Sequence, residues 1–383
     1  MKKKILIVVS YVLVAVLASV ATLGVSAWLD GEEYSKLDQL EELILTRFIG
    51  EADEELLENA AAEGMIEALD DRWSYYMSPQ EYLLHMEQAN NAYVGIGITI
   101  SVEEGVDGFT VQVVNENGPA EEAGLLVGDV IIAVDGQSTI GMPAAGARDL
   151  VRGEAGTVVN ITVVREGQEL TLPVTRQEVK TPVATGEMLE NKVGLITIVN
   201  FDSRCAEETI AAIEALLAEG AEKLIFDVRN NPGGYAREMV LVLDYLLPEG
   251  DLFRTVDYKG TENVDRSDAD YLDIPMAVLV NADSYSAAEF FAAALSEYEA
   301  AVVVGEHTSG KGYFQYTYEL DDGSGVGLSV GKYYTPKGVS LEKVGIMPDV
   351  EVAVTEEQAA GIYYGTLLPE NDPQLQAAVA ALN

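Results

Sequence analysis

Four patterns of hydrophobic and polar residues follow one another along the chain. The first is an uncharged, mainly apolar run from Ile5 to Leu29. From residue 31 to about 90, leucines and other apolar residues recur at steps of three and four, the period of amphipathic helices. Short strand-like runs broken by glycine turns extend from there to about residue 178. Beyond residue 179, continuous apolar runs alternate with helical stretches, which is typical of parallel strands that are buried on both faces.

The first pattern predicts a transmembrane anchor over residues 1–30. Lys2, Lys3 and Lys4 precede an uncharged run that is longer than the roughly 7–15 residues of a secretory apolar region and close to the roughly 20 residues that span a bilayer. Lysines favour the cytoplasmic side, so we expect a single-pass protein of the cell membrane whose folded part is extracytoplasmic. Residues 25–27 resemble a signal-peptidase site, which leaves cleavage and secretion as an alternative.

The remaining patterns predict a multidomain α/β protein, because 383 residues exceed what one core usually holds. Strand and helix runs beyond residue 179 alternate as β-α-β-α-β-α-β, which indicates a mainly parallel sheet. We expect five segments: the anchor, a helical region at 31–90, a small β domain at 91–178, an α/β core at 179–355 and a tail at 356–383.

Charge and composition exclude some classes of function. The chain has 23 basic and 64 acidic residues, a net charge of −41, and such a surface repels phosphate backbones. We therefore expect no binding to nucleic acid. A single cysteine, Cys205, excludes an internal disulfide framework, and no cluster of cysteines and histidines suggests a metal site.

A serine and a lysine follow two neighbouring strands of the predicted core. Ser286 comes after the apolar run 276–281, and Lys311 comes after the run 300–305. The carboxyl ends of strands in such βαβ units are where chemistry is placed. With two histidines in the whole chain, a Ser-His-Asp triad has little material, whereas a lysine can act as a base when burial keeps its amine neutral.

A purely structural interpretation of both residues stays open at this point. Ser286-Ala-Ala-Glu289 matches the S-x-x-E capping box, so Ser286 could be an ordinary helix N-cap. Gly310-Lys311-Gly312 could equally be a plain turn.

The motifs around these two residues resemble the C-terminal processing (tail-specific) serine peptidases. The resemblance rests on Val278-Leu-Val-Asn281, Ser284-x-Ser286-Ala-x-Glu289 and Thr308-x-Gly310-Lys311-Gly312, followed by Gln315. It implies that Ser286 is the nucleophile, that Lys311 is the general base and that Gln315 completes the site. The chain departs from the family at Tyr285, within a run of small residues, and at Ser309, where an aromatic residue is usual.

Two further blocks carry the same resemblance. Asp227-Val-Arg-Asn-Asn-Pro-Gly-Gly234 matches a family block that implies an oxyanion hole, formed by the N–H of Gly233 or Gly234 and that of Ala287. Residues 65–76 resemble a helical block of the family that packs on the body and helps subunits associate, with Arg72-Trp73 replacing the usual Pro-aromatic pair. The resemblance thereby suggests a homodimer, and it assigns no site residue to this block.

The order of strands and glycine turns between residues 93 and 178 resembles a PDZ domain. PDZ domains bind the last residues of a peptide by adding it to a sheet edge as a strand. In Gly95-Ile96-Gly97-Ile98, the backbone amides would bind a terminal carboxylate and the isoleucines would line an apolar pocket. The alternative is that Gly95 and Gly97 only permit a tight entry into a strand. The role of Arg152 stays open.

Together the resemblances imply a membrane-anchored, extracytoplasmic serine endopeptidase. Its PDZ domain would read the free C-terminus of a protein or peptide substrate, and the Ser-Lys dyad would cleave through an acyl-enzyme. No metal, nucleotide or organic cofactor is implied. The alternative from another class is a catalytically silent, membrane-anchored PDZ scaffold that binds protein C-termini.

Overall fold

The computed structural model describes residues 35–102, 105–115 and 117–383. The chain divides into two units, Met1–Asp71 and Arg72–Asn383. The predicted transmembrane anchor, residues 1–30, lies outside the described residues. Within the described ranges, no helix combines the length and the apolar character needed to cross a membrane.

The first unit contributes two amphipathic helices, α1 (Lys36–Arg47) and α2 (Glu54–Glu67). Side-chain oxygens of Ser35 and Asp53 accept N–H groups of the first turns, so both helices begin at conventional N-caps. Neither helix has a buried residue. Several of their apolar side chains are more than half exposed: Leu40, Leu43, Leu56 and Met65.

The predicted helical region 31–90 is not helical throughout. In the second unit it contains a strand, β1 (Tyr75–Met77), followed by helix α3 (Pro79–Ala89). The strand was missed because it has only three residues, too few to show a period of two. It pairs with a strand near residue 326, a partner that no local pattern can indicate.

Residues 92–180 form the domain that resembles a PDZ domain. It is bounded by an antiparallel pair, β2 (Ala92–Gly95) and β9 (Gln177–Lys180), in which Gly95 lies opposite Gln177. Its own sheet has the order β3-β4-β5-β7-β8, with β6 paired to β5. These elements are β3 (Ile98–Ser101), β4 (Phe109–Val114), α4 (Pro119–Glu122), β5 (Val130–Val134), β6 (Gln137–Ser138), α5 (Ala144–Val151), β7 (Val158–Arg165) and β8 (Gln168–Thr175). A separate hydrophobic core that includes Phe109, Val111 and Ile161 holds them together.

The peptidase-like core is built on a six-stranded sheet. Its order is β10-β11-β12-β15-β16-β19, parallel except for the antiparallel edge pair β10–β11. The strands are β10 (Ala184–Met188), β11 (Val193–Ile198), β12 (Lys223–Asp227), β15 (Met276–Val280), β16 (Ala301–Gly305) and β19 (Val350–Glu351). The helices are α6 (Cys205–Glu219), α7 (Ala236–Leu246), α8 (Ala287–Glu297), α9 (Glu356–Tyr363) and α10 (Pro373–Ala381).

Both faces of this sheet are covered, as the continuous apolar runs predict. Residues of α6, α7 and α8 share one hydrophobic cluster with the sheet, and residues of α10 share another with side chains of the opposite face. Because successive side chains of a strand alternate between faces, each central strand contributes to both clusters. The prediction of a mixed α/β core with an inserted PDZ-like domain is therefore confirmed.

A second, antiparallel sheet packs beside the core. Its order is β1-β18-β13-β14, and β17 pairs with β18. Besides β1, its strands are β13 (Gly250–Asp257), β14 (Glu262–Ser267), β17 (Tyr313–Glu319) and β18 (Gly325–Tyr334). Because β1 pairs with β18 in this sheet, the neighbouring Arg72 lies close enough to donate to the carbonyl of Ser309, in the loop that contains Lys311.

Candidate active site

Ser286 occupies the sharp turn between β15 and α8. It is the N-cap residue of α8, is 8% exposed, and has φ 58° and ψ −127°. Residues other than glycine rarely adopt this backbone conformation, and strained conformations of this kind cluster at functional sites. Its N–H donates to Glu289 Oε2 at 3.0 Å, so the backbone half of the capping box is present. An ordinary cap explains where the helix begins, but it does not explain the strain.

Side chains join the turn before Ser286 to the glycine-rich loop that follows β12. Asn281 and Asn230 bond reciprocally, because Asn281 Oδ1 accepts the Asn230 N–H and Asn281 Nδ2 donates to Asn230 Oδ1, both at 2.9 Å. The buried Ser284 hydroxyl donates to the carbonyl of Val228 at 2.7 Å. These bonds fix the nucleophile turn against the loop predicted to form the oxyanion hole.

Gly233 packs directly against Ser286. A Cβ on this glycine would lie 2.8 Å from Ser286 Cβ and 2.9 Å from Ala287 N, and its φ of 90° also favours glycine. Ala287 is the first residue of α8, where backbone N–H groups have no partner within the helix. The Gly233 N–H donates to Asn231 Oδ1 at 2.8 Å. Gly234, with φ 141°, approaches a different backbone, because a Cβ there would collide with the carbonyl oxygen of Phe201.

The carboxylate of Glu289 connects the nucleophile to the lysine loop. It is fully buried, and Oε1 accepts the Thr308 hydroxyl at 2.5 Å and the Gly310 N–H at 2.8 Å. Oε2 accepts the N–H groups of Ser286 and Lys311, the latter at 2.8 Å. Burial raises the pKa of Glu289, while these hydrogen bonds act in the opposite direction. Sequence reasoning recognised Glu289 only as a possible helix cap.

Lys311 Nζ lies over two aromatic rings. It is 5.0 Å from the centre of the Trp73 ring and 5.7 Å from the centre of the Tyr285 ring, both within cation–π range. Since Tyr285 directly precedes Ser286, Lys311 Nζ lies beside the turn that carries Ser286. The structure thus brings Ser286 and Lys311 into one site, and it adds Trp73, which the sequence analysis left without a role.

The neighbourhood of Lys311 depends on residues far away in sequence. Arg72 donates to the carbonyl oxygens of Ser309 and Gly310 at 3.1 and 2.9 Å. Glu342 accepts the N–H of Gly312 at 2.9 Å. A Cβ at Gly312 would lie 2.6 Å from Glu342 N, so the close backbone approach explains that glycine.

Gln315 and the two histidines occupy different surroundings. The Gln315 amide donates to the carbonyl of Tyr313 at 3.2 Å and to the Ser329 hydroxyl at 3.0 Å. Burial, and secondarily the charge of Lys311, lowers the pKa of His85. The exposed His307 contacts the carbonyl of Val344 through Nε2 at 2.7 Å.

The PDZ-like domain contains a cavity of about 390 Å³ where peptide binding is predicted. Gly95, Ile96, Gly97 and Ile98 all line it, as do residues of α5. The carbonyl of Ile96 accepts the N–H of Ala120 in α4, the carbonyl of Gly97 accepts the N–H of Asn115, and Gly97 has φ 73°. Arg152, at the end of α5, forms an ion pair with Glu87 at 2.6 Å and so connects this domain to α3, the helix that precedes it.

Comparison with known proteins agrees with this architecture. Residues 192–352 match the profile of Peptidase family S41, residues 110–165 match a PDZ domain, and residues 18–81 match the N-terminal domain of the activating protease CtpB. The chain is 32% identical over 371 residues to the carboxy-terminal processing protease CtpA of Bacillus subtilis, covering 93% of this chain and 79% of that protein.

A cyanobacterial relative and a solved structure extend the comparison. A carboxyl-terminal-processing protease of Picosynechococcus is 34% identical over 326 residues, which cover 83% of this chain and 77% of that protein. A crystal structure of a Bacteroides fragilis protein described as an S41 protease shares the fold, with a TM-score of 0.50, 16% identity and coverage of 90% and 96% of the two chains. The chain therefore belongs to peptidase family S41, among its carboxy-terminal processing proteases, and is a serine-type peptidase with a PDZ domain rather than a silent scaffold.

Proposed function

We propose that the protein is an endopeptidase that cleaves with a Ser286–Lys311 dyad. The observation that carries this proposal is that Lys311 Nζ lies over the ring of the residue preceding the strained, buried Ser286. Neutral Lys311 takes the hydroxyl proton while Ser286 Oγ bonds to the carbonyl carbon of the substrate. The carbonyl electron pair moves onto oxygen, and the Ala287 N–H together with an amide of the Gly233–Gly234 pair binds the oxyanion.

The remaining steps return the dyad to its starting state. The C–N bond breaks, and the lysine ammonium gives its proton to the leaving amine, which leaves an acyl-enzyme on Ser286. Water then attacks with Lys311 again taking a proton, and that proton returns to Ser286 Oγ as the acyl bond breaks. Gln315 lies on β17, the strand that follows the lysine loop, and completes the proposed site.

The test compares alanine variants of two serines that lie two residues apart. Ser286→Ala should abolish hydrolysis of an unfolded substrate with little loss of stability, since losing a cap costs about 0.5–2 kcal/mol. Ser284→Ala is the matched control: it loses a buried hydrogen bond and stability, but it retains substantial activity. Lys311→Arg should be inactive because arginine does not give up its proton. Activity at the wild-type rate in Ser286→Ala, or in Lys311→Arg, would refute the dyad.

The PDZ domain is proposed to select substrates by their free, apolar C-termini. Amidating the tail of a substrate should lower kcat/KM, because the backbone amides at Gly95–Ile98 would lose their carboxylate partner. Ile98→Asp, in the cavity, should weaken this preference, whereas Val113→Asp, on an exposed position of β4, should not. Equal turnover of free and amidated tails would exclude the PDZ domain from selection.

The predicted anchor and dimer belong to the same proposal. The apolar run of residues 5–29 supports attachment to the cell membrane, with the peptidase outside the cytoplasm. The exposed apolar side chains of α1 and α2 support association of two copies. Membrane fractionation of the full chain and light scattering of a form that begins at residue 31 test the two points separately.

A further inference from the structure

Lys311 Nζ lies over the faces of two aromatic rings. Trp73 and Tyr285 stack on each other with ring centres 6.3 Å apart and planes 26° apart, and Lys311 Nζ is within cation–π range of both. A serine-lysine mechanism forms an ammonium ion when Ser286 is deprotonated. A group that stabilises this ion therefore stabilises the products of the proton transfer.

The position of the Trp73 indole is fixed from two sides. Its Nε1 donates to the Glu342 carboxylate at 3.1 Å, and the Arg72 guanidinium lies 4.0 Å from the ring centre. Arg72 also binds the carbonyls of the lysine loop, and Glu342 also binds the N–H of Gly312. Arg72 and Glu342 therefore contact both the Trp73 ring and the loop that carries Lys311. These contacts set the distance between the ring and the lysine.

We propose that Trp73 and Tyr285 are positioning residues that hold Lys311 and stabilise its ammonium form through their aromatic faces. The inference rests on the proposed role of Lys311 as the base. An aromatic face attracts a cation less strongly than a full negative charge does, so the two rings favour the ammonium form only modestly. The departure from the family pattern at Tyr285 and the ring of Trp73 thus meet at one functional group.

Several other charged or titratable groups act on the same ammonium. Arg72 and His85 approach from the segments on either side of β1, and Glu289 and Glu342 approach from α8 and from the loop after β18. Both carboxylates accept backbone N–H groups of the lysine loop. A variant that tests the rings must therefore leave these four residues unchanged and must keep apolar cover over Lys311.

Leucine meets both conditions, because it excludes water but has no π face. In full-length protein with ¹³C-labelled lysine, the titration midpoint of Lys311 should fall by about half a pH unit in Trp73→Leu and by about one unit in the Trp73→Leu/Tyr285→Leu double variant. All variants are compared in a Ser286→Ala background, and Lys311→Arg assigns the signal. Trp73→Phe, which keeps an aromatic face, should shift it less and in the same direction.

The matched control is Tyr258→Leu, since Lys259 Nζ lies 5.2 Å from the centre of that exposed ring, outside the proposed site. It should leave the Lys311 midpoint unchanged. An unchanged or higher midpoint in the Trp73→Leu variant and in the Trp73→Leu/Tyr285→Leu double variant would overturn the inference.

The pH dependence of kcat/KM in enzyme with Ser286 intact separates this inference from the proposed function. The acid limb of this profile, the pH below which kcat/KM falls, should move with the Lys311 midpoint in each variant. If the NMR midpoint falls and the limb does not move, the aromatic contacts are confirmed and Lys311 is not the base. If the limb coincides with the wild-type Lys311 midpoint but neither responds to the leucine variants, the base is confirmed and the role of the rings is wrong.

Discussion

Replacing Glu289 by glutamine tests whether one buried carboxylate holds the two catalytic loops together. The carboxylate accepts four hydrogen bonds, two on each oxygen, from Ser286, Thr308, Gly310 and Lys311. Glutamine has one acceptor oxygen, and with that oxygen toward Ser286 and Lys311 its NH₂ group faces the Gly310 N–H, a donor, and the Thr308 hydroxyl, which can turn and accept. One charge-assisted bond is therefore lost and the other three become weaker bonds to a neutral group, at a cost of about 3–6 kcal/mol together.

Removing the buried charge offsets part of this loss. Burial raises the pKa of Glu289, which means that desolvation disfavours its ionised form in the folded protein. We therefore expect the free energy of unfolding to fall by a net of about 2–4 kcal/mol. Activity should fall as well, because the N–H groups of Ser286 and Lys311 would bind a neutral oxygen more weakly.

Chemical denaturation followed by circular dichroism measures the stability, and hydrogen exchange measures protection of the Gly310 and Lys311 amides. The matched control is Glu297→Gln, at the last residue of the same helix. Its exposed carboxylate accepts one N–H, from Lys337, which a glutamine oxygen can also accept, so the change should be within about 0.5 kcal/mol. If Glu289→Gln is no more destabilising than this control and keeps amide protection, the reasoning is refuted.

Three further predictions concern other parts of the molecule. Gly233→Ala should abolish peptidase activity because its Cβ collides with Ser286, whereas Gly260→Ala, with φ 80° and open space, should keep it; equal activities would contradict the close approach. His85 has a lowered pKa, so its contribution to stability is present above the unfolded value of about 6.5 and is lost as pH falls. NMR titration should show a higher His85 pKa in Lys311→Met, and no change would disprove their proximity. Burial raises the pKa of Cys205 to about 12, so iodoacetamide should label it only on unfolding.

The sequence predicts the parallel core and the two residues of the proposed dyad for different reasons. Runs such as Met276–Val280 are buried on both faces, so their apolar character directly reports a central parallel strand. Ser286 and Lys311 are found through motif spacing. They lie close together because β15 and β16 are neighbouring parallel strands, so both strands end at the same edge of the sheet.

The rest of the site depends on contacts that local patterns do not encode. Glu289 gives the same S-x-x-E signal whether it only caps α8 or also binds a loop 21 residues away. Arg72 reaches Ser309 across 237 residues, and the three-residue strand that fixes this approach has no readable period. The available signal was the unusual pair at 72 and 73, which pattern reasoning could note but could not place.

The β2–β9 pair has a consequence for how such a peptidase can change over evolution. Gly95 and Gln177 lie opposite each other in one ladder, so the inserted domain starts and ends at nearly the same point. Closing a longer loop across two fixed ends costs only about 0.6 kcal/mol per doubling of its length. The insert also has its own hydrophobic core and does not depend on the host for it. A different binding domain could therefore replace it at this junction. Such an exchange would change what the enzyme binds without altering the residues of the proposed dyad.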